Sequence, residues 1–218
     1  MRTYKLYLIR HGLTRANLEG RYIGSTDYEL CEEGAAGLAG LLQNYEYPNV
    51  PRVYTSPLLR CTQTARLLYP ELSPVVVEAL RECDFGEFEG KTAYELAGSE
   101  SYHKWIMSGR EYTPAGGEAS ADFLRRVVSG FDVIIQNMMR DKLSDAAVVT
   151  HGGVIAAFLA QCGLPKQELG AWSVEPGQGY TLLVNASLWG NAKLAEVFTP
   201  LPYGLDTEHV MLDYQKEL

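Results

Sequence analysis

The chain is poor in cysteine and has no long apolar run. Its 218 residues include four cysteines, at positions 31, 61, 83 and 162, and no Cys-x-x-Cys pair. We therefore expect free thiols in a reducing compartment, without a disulfide framework or a structural zinc site. The first apolar stretch is broken by Arg10, and no run reaches the ~18 residues of a membrane span. These absences predict a soluble, cytoplasmic protein.

The chain also lacks an excess of positive charge. It has 19 basic and 27 acidic residues, which give a net charge of -8 and a pI near 5.1. Because a negative field repels both a phosphate backbone and acidic lipids, we expect neither a nucleic acid nor a membrane as a partner. Any phosphate group that this protein binds must be held by a few local groups.

Repeats and low-complexity linkers are absent too, and we interpret residues 1–218 as a single domain with one core. Strands and helices alternate along it. The strands are predicted at residues 4–9, 52–56, 75–77 and 146–150, and the helices at 31–45, 56–69, 120–143 and after 153. Ser56 is predicted to cap its helix, with Pro57 in the first turn. A hairpin is predicted over residues 179–200 with its turn at Gly190 and Asn191, and the tail from Leu201 has no assignment.

This alternation predicts an α/β fold, a three-layer α/β/α sandwich around a mainly parallel sheet. In such folds, ligands bind beyond the carboxyl ends of the strands. Short polar sequences follow the four strands in turn: "RHG" at 10–12, "SPLLR" at 56–60, "RECDFGE" at 81–87 and "THGG" at 150–153. We therefore expect these four sequences to meet at one edge of the sheet.

The residue types in these sequences suit a phosphate group. Arg10 and Arg60 can hold its oxygens through their planar guanidinium groups. Gly12, Gly152 and Gly153 allow the main chain to approach an anion, and the helix that begins near Gly153 should direct its first amides at it. The pattern predicts a phosphate site and phosphoryl transfer.

A histidine and a carboxylic acid in the same place would supply the reacting groups. His11 could attack phosphorus as a neutral imidazole, and neighbouring arginines would keep its pKa below the usual value of about 6.5. An acid would then protonate the leaving oxygen. Glu82 is our candidate for that acid, and spacing alone leaves Asp84, Glu87 and Glu89 as rivals.

Position relative to the predicted strand ends and catalytic residues also indicates roles for the other histidines and for two cysteines. His151 follows a strand as His11 does, whereas His103 and His209 are predicted to have surface or packing roles. Cys61 and Cys83 each follow a candidate catalytic residue directly. We expect them to be inert thiols rather than redox-sensitive groups.

Five segments resemble the successive signatures of the histidine phosphatase superfamily, in its branch of phosphoglycerate-mutase-like phosphatases. They are "LIRHGLTRAN", "SPLLRCTQTA", "ALRECDFGEFEG", "GGEASADFLRRV" and "VVTHGGVIAAFL". The segments occur in the family's order and span roughly residues 4 to 159. The resemblance implies a phosphoglycerate-mutase-like fold and a phosphomonoesterase that forms a phosphohistidine.

The resemblance also assigns roles to residues. It implies that His11 is phosphorylated and that Glu82 is the proton donor, which settles the choice among the four acidic residues. It implies a phosphate pocket made by Arg10, Arg60 and His151. Further substrate contacts are implied for Asn17 and the segment around Gly24, and Gly152 is a substrate contact predicted from its place after the fourth strand. Neither a metal nor an organic cofactor is implied.

Departures from the family pattern bear on the substrate. Leu13 stands where the family often has Glu or Gln, and Ala119 stands where it often has Ser. Neither position has a chemical role in the family. Ala16 stands where the mutase branch usually has a tryptophan, and the region between Glu82 and Ser120 lacks the longer basic insert of mutases. We therefore favour a phosphatase. The basic residues of this region, which form either a weak clamp for an acidic substrate or a solvated face, are Lys91, Lys104 and Arg110.

Residues 84–119 are predicted to form a helical lid or insert over the site. Aromatic residues that could line such a lid are Tyr22, Tyr28, Tyr94, Trp105 and Tyr112. The expected partner is a small phosphomonoester: α-ribazole phosphate, a small sugar phosphate and a phosphoglycerate all fit the residues. The oligomeric state stays open, with a homodimer as one option.

Three alternatives to a phosphatase stay open at this stage. His11, His151 and Glu82 could form a metal site that activates water, although two adjacent arginines would repel a dication. The chain could be a phosphoglycerate-mutase-type phosphoryl transferase. It could also be a non-catalytic protein that binds a phosphorylated ligand on the same fold.

Overall fold

The computed structural model describes residues 3–109 and 111–205 and contains a seven-stranded sheet. The strands are β1 (Thr3–Arg10), β2 (Val53–Thr55), β3 (Val75–Val76), β4 (Asp145–Thr150), β5 (Gly163–Leu164), β6 (Gly179–Asn185) and β7 (Ala195–Leu201). Their order across the sheet is β3-β2-β4-β1-β6-β7-β5. The pairs β3-β2, β2-β4, β4-β1 and β7-β5 are parallel, and the pairs β1-β6 and β6-β7 are antiparallel.

Eight α-helices accompany the sheet in the described ranges. They are α1 (Arg15–Leu18), α2 (Glu32–Asn44), α3 (Leu59–Leu68), α4 (Ala93–Leu96), α5 (Glu100–Met107), α6 (Ser120–Arg140), α7 (Gly152–Cys162) and α8 (Ala186–Ala192). Short 3₁₀ turns lie at Glu78–Leu80, Gly86–Phe88 and Leu169–Trp172. Within the described part of the chain, no helix combines the length and the apolarity that crossing a bilayer requires.

The central strand β1 divides the core into two layers. Its side chains alternate, as the two-residue period of a strand requires. Leu6 and Leu8 pack with α6 and α7 on one face of the sheet, and Tyr7 and Ile9 pack with α2 and α3 on the other. The predicted three-layer α/β/α sandwich with a mainly parallel sheet is confirmed.

The longest helix, α6, carries the apolar stripe that its sequence predicts. The residues of this stripe are buried: Phe123, Val127, Phe131, Ile134 and Met138. Phe131 stacks on Phe158 of α7 with ring centroids 3.8 Å apart. Helices α6 and α7 therefore pack together on one face of the sheet, in a core layer that Trp172 and Trp189 complete.

A third, smaller cluster lies in the segment 84–119. Phe88, Leu96, Tyr102 and Trp105 are buried together, and Tyr22 packs against them. The segment has helices α4 and α5, as expected for a helical insert, while its function as a lid stays a prediction. Tyr94 is 91% exposed and lies outside this cluster.

Two local predictions are wrong. Helix α3 begins at Leu59 rather than next to Ser56, and its N-cap, Leu58, has no side-chain capping hydrogen bond. The Ser56 hydroxyl lies 2.8 Å from Nε2 of His151 and accepts from the Leu58 amide at 3.4 Å. Strands β6 and β7 do pair antiparallel, but helix α8 connects them instead of a two-residue turn. The Asn185 side chain accepts hydrogen bonds from the amides of Ser187 and Leu188, which caps α8 and starts the helix.

Replacing Phe131 by Ala should destabilise the fold strongly. The ring is fully buried and stacked on Phe158, so its removal leaves a cavity between α6 and α7. We expect a loss of about 3–5 kcal/mol in the free energy of unfolding, measured by urea denaturation. Val133 on the same helix is 49% exposed, and Val133→Ala should change stability by less than about 0.5 kcal/mol. Equal effects of the two substitutions would contradict this packing.

Candidate active site

Parallel pairing of three strands brings the predicted residues together. Arg10 ends β1 opposite Thr150, the last residue of β4, and the main chain of His11 donates to the Thr150 carbonyl at 2.9 Å. His151 follows Thr150 and precedes α7. The rings of His11 and His151 consequently lie with their centroids 5.2 Å apart.

His11 is held in one orientation. Its Nδ1 lies 2.6 Å from the carbonyl oxygen of Gly12, so we assign the proton to Nδ1 and a free lone pair to Nε2. The Gly12 amide in turn donates to Oγ1 of Thr64 at 2.9 Å. Burial first, and then the positive charge of Arg60, lower the pKa of His11 to about 3. The imidazole is therefore neutral at pH 7.

Arg60 is 1% exposed and makes three hydrogen bonds. Its Nε donates to Nδ1 of His151 at 3.2 Å, and its terminal nitrogens donate to the carbonyls of Thr26 and Gly24 at 2.9 and 2.8 Å. Because Nδ1 of His151 accepts, we assign the His151 proton to Nε2, which donates to Ser56 at 2.8 Å. Burial, and then Arg60, hold the pKa of His151 well below its usual value.

The loop that receives Arg60 is organised by Glu89. The carboxylate accepts hydrogen bonds from the amides of Gly24, Ser25 and Thr26, from the Thr26 hydroxyl and from the Phe85 amide. Gly24 was predicted to bind substrate, but its amide donates to Glu89 and its carbonyl accepts from Arg60. A Cβ at Gly24 would lie 1.7 Å from the Cys83 carbonyl, so only glycine fits.

Glu89 is a residue whose role sequence reasoning missed, since it entered only as a rival proton donor. The sequence carried no signal that could have revealed its part in the loop, because its hydrogen-bond donors lie over 60 residues earlier in the chain apart from Phe85.

Arg10 presents an unused donor to the site. One terminal nitrogen donates to the carbonyl of Val174 at 2.6 Å. Its Nε is buried and has no hydrogen-bond partner in the part of the chain that the structure describes. Gly152 lies beside it, since a Cβ there would be 3.4 Å from this nitrogen. A bound anion would satisfy the donor, whose burial otherwise costs free energy.

Glu82 lies against the beginning of α7. Its Oε2 accepts from the Gly153 amide at 2.9 Å and its Oε1 from the Cys83 amide at 3.0 Å. The Gly153 amide, which was predicted to face an anionic ligand, is thus directed at this carboxyl group. Burial raises the pKa of Glu82 and outweighs both hydrogen bonds and the charges of Arg60 and Arg10.

The rival acids have other partners. Asp84 accepts from the Gly86 amide at 2.8 Å, Glu87 accepts from the Ala115 amide at 3.4 Å, and Glu89 holds the loop. Glu82 is thus the acid whose carboxyl group lies at the N-terminus of α7, which begins beside His151. This position is consistent with Glu82 as the candidate acid, and its role as proton donor stays a prediction.

Asn17 has local hydrogen bonds. Its Oδ1 accepts from the amide and hydroxyl of Thr14, at 3.0 and 2.9 Å, in the capping box of α1. A contact between Asn17 and substrate would therefore have to come from the Nδ2 amide. The contact stays a prediction.

The remaining candidates lie outside this arrangement or are inaccessible. Cys61 is buried with its sulfur 3.5 Å from Nε2 of His151, and burial raises the pKa of its thiol. His103 is exposed on α5, with Nε2 2.7 Å from the carbonyl of Ala97. Lys104 pairs with Glu100 at 2.7 Å. Two other predictions, for His209 and Arg110, fall outside the described residues.

The alternative of a metal site finds no support in this geometry. Among residues 3–109 and 111–205, no group of three or more His, Cys, Asp and Glu side chains is placed to hold a metal ion. His11, His151 and Glu82 all belong to these ranges, so they do not form such a group. Two guanidinium groups in the same region favour an anion over a dication.

Proteins with similar sequences include phosphatases and phosphoglycerate mutases. The adenosylcobalamin/alpha-ribazole phosphatase of Salmonella typhimurium is 30% identical over 183 residues, which are 79% of this chain and 87% of that protein. The 2,3-bisphosphoglycerate-dependent phosphoglycerate mutase of Azorhizobium caulinodans is 31% identical over 181 residues, 75% of this chain and 86% of the mutase.

A solved structure of a phosphatase has a similar fold. The crystal structure of the alpha-ribazole phosphatase from Shigella flexneri superposes with a TM-score of 0.72 at 26% identity, over 89% of this chain and 95% of that one. The family model of the histidine phosphatase superfamily (branch 1) matches residues 6–194. In sequence and in fold, this chain belongs to the histidine phosphatase superfamily, branch 1.

Proposed function

We propose that this protein is a phosphomonoesterase that hydrolyses a small phosphorylated metabolite through a phosphohistidine, without a metal or cofactor. The observation that carries the proposal is the state of His11. Its Nδ1 is bound to the Gly12 carbonyl at 2.6 Å, which leaves the lone pair on Nε2, at the other edge of the ring. A fixed neutral imidazole beside two guanidinium groups has the properties of a nucleophile for phosphorus.

In the first step, Nε2 of His11 attacks phosphorus in line with the leaving oxygen. The N–P bond forms as the P–O bond to the alcohol breaks, and Glu82 gives its proton to the departing oxygen. Arg10 and Arg60 hold the remaining phosphate oxygens, and His151 joins them if its Nε2 proton turns from Ser56 to a phosphate oxygen. Since Nε of Arg10 is buried and otherwise unsatisfied, a phosphate oxygen would complete its hydrogen bonding.

In the second step, the Glu82 carboxylate takes a proton from water, and the resulting hydroxide attacks phosphorus. The N–P bond breaks, which releases inorganic phosphate and returns His11 to its neutral form. Glu82 regains its proton in this step and is ready for the next substrate. The raised pKa of Glu82 supports this double role, because it keeps the carboxyl protonated closer to neutral pH than an ordinary glutamate.

Hydrolysis is favoured over a mutase reaction by two features. Ala16 is buried in α1 where mutases usually carry a tryptophan, so α1 presents a methyl group instead of an indole. Lys104, in the region where mutases have a basic insert, is exposed and paired with Glu100. We propose α-ribazole phosphate, after the names of the relatives, and small sugar phosphates as the first substrates to test.

A panel of phosphorylated metabolites should separate the two reactions. We expect release of inorganic phosphate from at least one compound among α-ribazole phosphate, sugar phosphates and phosphoglycerates, measured with molybdate. A mutase would instead interconvert 2- and 3-phosphoglycerate, with stimulation by 2,3-bisphosphoglycerate and little phosphate release. Turnover of no compound would favour a phospholigand-binding protein.

Rapid quench with a ³²P-labelled substrate should trap phosphate on His11. The adduct should be labile in acid and stable in base, as expected for an N–P bond. His11→Ala should abolish the adduct and lower kcat by a factor on the order of 10⁴ or more, as the loss of a covalent nucleophile does elsewhere. His103→Ala is the matched control and should leave both unchanged. Turnover without any adduct would exclude the covalent route.

The neutral state of His11 should be measurable through folding. An unfolded chain protonates this imidazole near pH 6.5 and the folded chain only near about 3, so the folded state binds fewer protons between these values. The stabilisation is complete above pH ~6.5 and is lost as the pH falls. Relative to His11→Asn, wild type should lose roughly 1 kcal/mol of unfolding free energy per pH unit below ~6, by urea denaturation at each pH. Parallel profiles of the two proteins would contradict a neutral His11.

A further inference from the structure

Arg126 on α6 has all five of its N–H donors engaged. Nε and one terminal nitrogen donate to the two carboxylate oxygens of Glu118, at 2.9 and 2.6 Å. The other terminal nitrogen donates to the carbonyls of Ala79 and Arg81, at 2.9 and 2.8 Å. The fifth donor faces the carbonyl of Glu82 at 3.4 Å. No donor is left for a ligand, so Arg126 cannot bind substrate directly.

The three carbonyls belong to the main chain that carries the proposed proton donor. Glu118 adds a fourth connection, because its own amide donates to the carbonyl of Asp84 at 2.9 Å. Arg126 and Glu118 therefore hold the chain both before and after Glu82. Their ion pair is mostly shielded, with side chains 24% and 20% exposed.

Firm support of this segment matters for proton transfer. A general acid works only within hydrogen-bond reach of the leaving oxygen, and a displacement of about 1 Å can cost on the order of 10²-fold in rate. Among residues 3–109 and 111–205, the Glu82 carboxyl is hydrogen-bonded only to the amides of its neighbour Cys83 and of Gly153 on α7. The position of the acid relative to α7 thus depends on the main chain beneath it. That main chain is fixed from α6 by a side chain whose bidentate pairing with Glu118 sets its orientation.

We propose that Arg126 and Glu118 are positioning residues for Glu82, and that they set the efficiency of leaving-group protonation. This inference rests on the proposed function, in which Glu82 is the general acid. The pair should affect kcat through the position of Glu82 and should leave phosphate binding unchanged.

The first test compares Arg126→Ala with Arg125→Ala. Arg125 is the neighbouring residue on α6, has a side chain 74% exposed and pairs only with Asp122 in the described structure, so it is the matched control. With an alkyl phosphate as substrate, Arg126→Ala should lower kcat about 10- to 100-fold, within the range that a general acid contributes. The KM and the inhibition constant for inorganic vanadate should stay within about twofold of wild type. Arg125→Ala should leave kcat, KM and the vanadate constant all unchanged, as expected away from the site.

The second test varies the leaving group. para-Nitrophenolate departs readily without a proton, whereas an alkoxide does not. The loss of kcat/KM in Arg126→Ala, which reports only the steps up to P–O cleavage, should therefore be at least about tenfold smaller with para-nitrophenyl phosphate than with the alkyl phosphate. In a Glu82→Gln background, which has no acid to position, Arg126→Ala should have no further effect on the alkyl substrate.

Arg126→Lys and Glu118→Gln keep the experiment informative if Arg126→Ala unfolds, which thermal melting will reveal. Lysine retains the charge but cannot bind a carboxylate and three carbonyls together, so it should give a smaller loss with the same dependence on the leaving group. Equal losses with both substrates, a weaker vanadate affinity or additivity with Glu82→Gln would overturn the positioning role. An inactive wild type would instead overturn the proposed function itself.

Discussion

The site depends on the burial of a guanidinium group, that of Arg60, without an ion pair among the described residues. Arg60 is 1% exposed, and among the described residues it forms no ion pair. Moving such a charge out of water costs free energy unless its N–H donors find hydrogen-bond acceptors. The acceptors of Arg60 are the carbonyls of Gly24 and Thr26 and Nδ1 of His151. Because none of the described carboxylates lies at ion-pair distance from Arg60, its positive charge remains available to an anion, in a chain whose net charge is -8.

The same burial sets the protonation states that the chemistry needs. In His11 and His151, desolvation and the charge of Arg60 act in the same direction and lower the pKa. In Glu82, desolvation raises the pKa, and the arginines offset it only in part. One dry, positively charged environment thus favours a neutral base and a neutral acid together. That combination is required for a nucleophile and a proton donor to act on an anionic ester.

Two elements far apart in the sequence support this environment. Glu89 fixes the loop 24–26 that receives Arg60, and α6 fixes the segment that carries Glu82. Helix α6 also packs its apolar stripe against the sheet, so it joins the core to the site. We infer that the precision of the site derives from these supports as much as from the residues that meet the substrate.

The sequence alone determined the fold class and the strands that carry the site, because apolar periodicity and strand-end motifs are local properties. Arg10, His11, Arg60 and His151 could be grouped from sequence, since the carboxyl ends of parallel strands share one edge. Only the tertiary structure decided the points that depend on partners distant in the chain. The Ser56 hydroxyl binds Nε2 of His151 and does not cap α3. The Gly153 amide donates to Glu82 instead of facing a ligand, and the Gly24 carbonyl accepts from Arg60. The residues of "ECDFGEFEG" show the reason: spacing cannot distinguish four acidic side chains, whereas burial against α7 or against a loop gives each a different hydrogen-bond set.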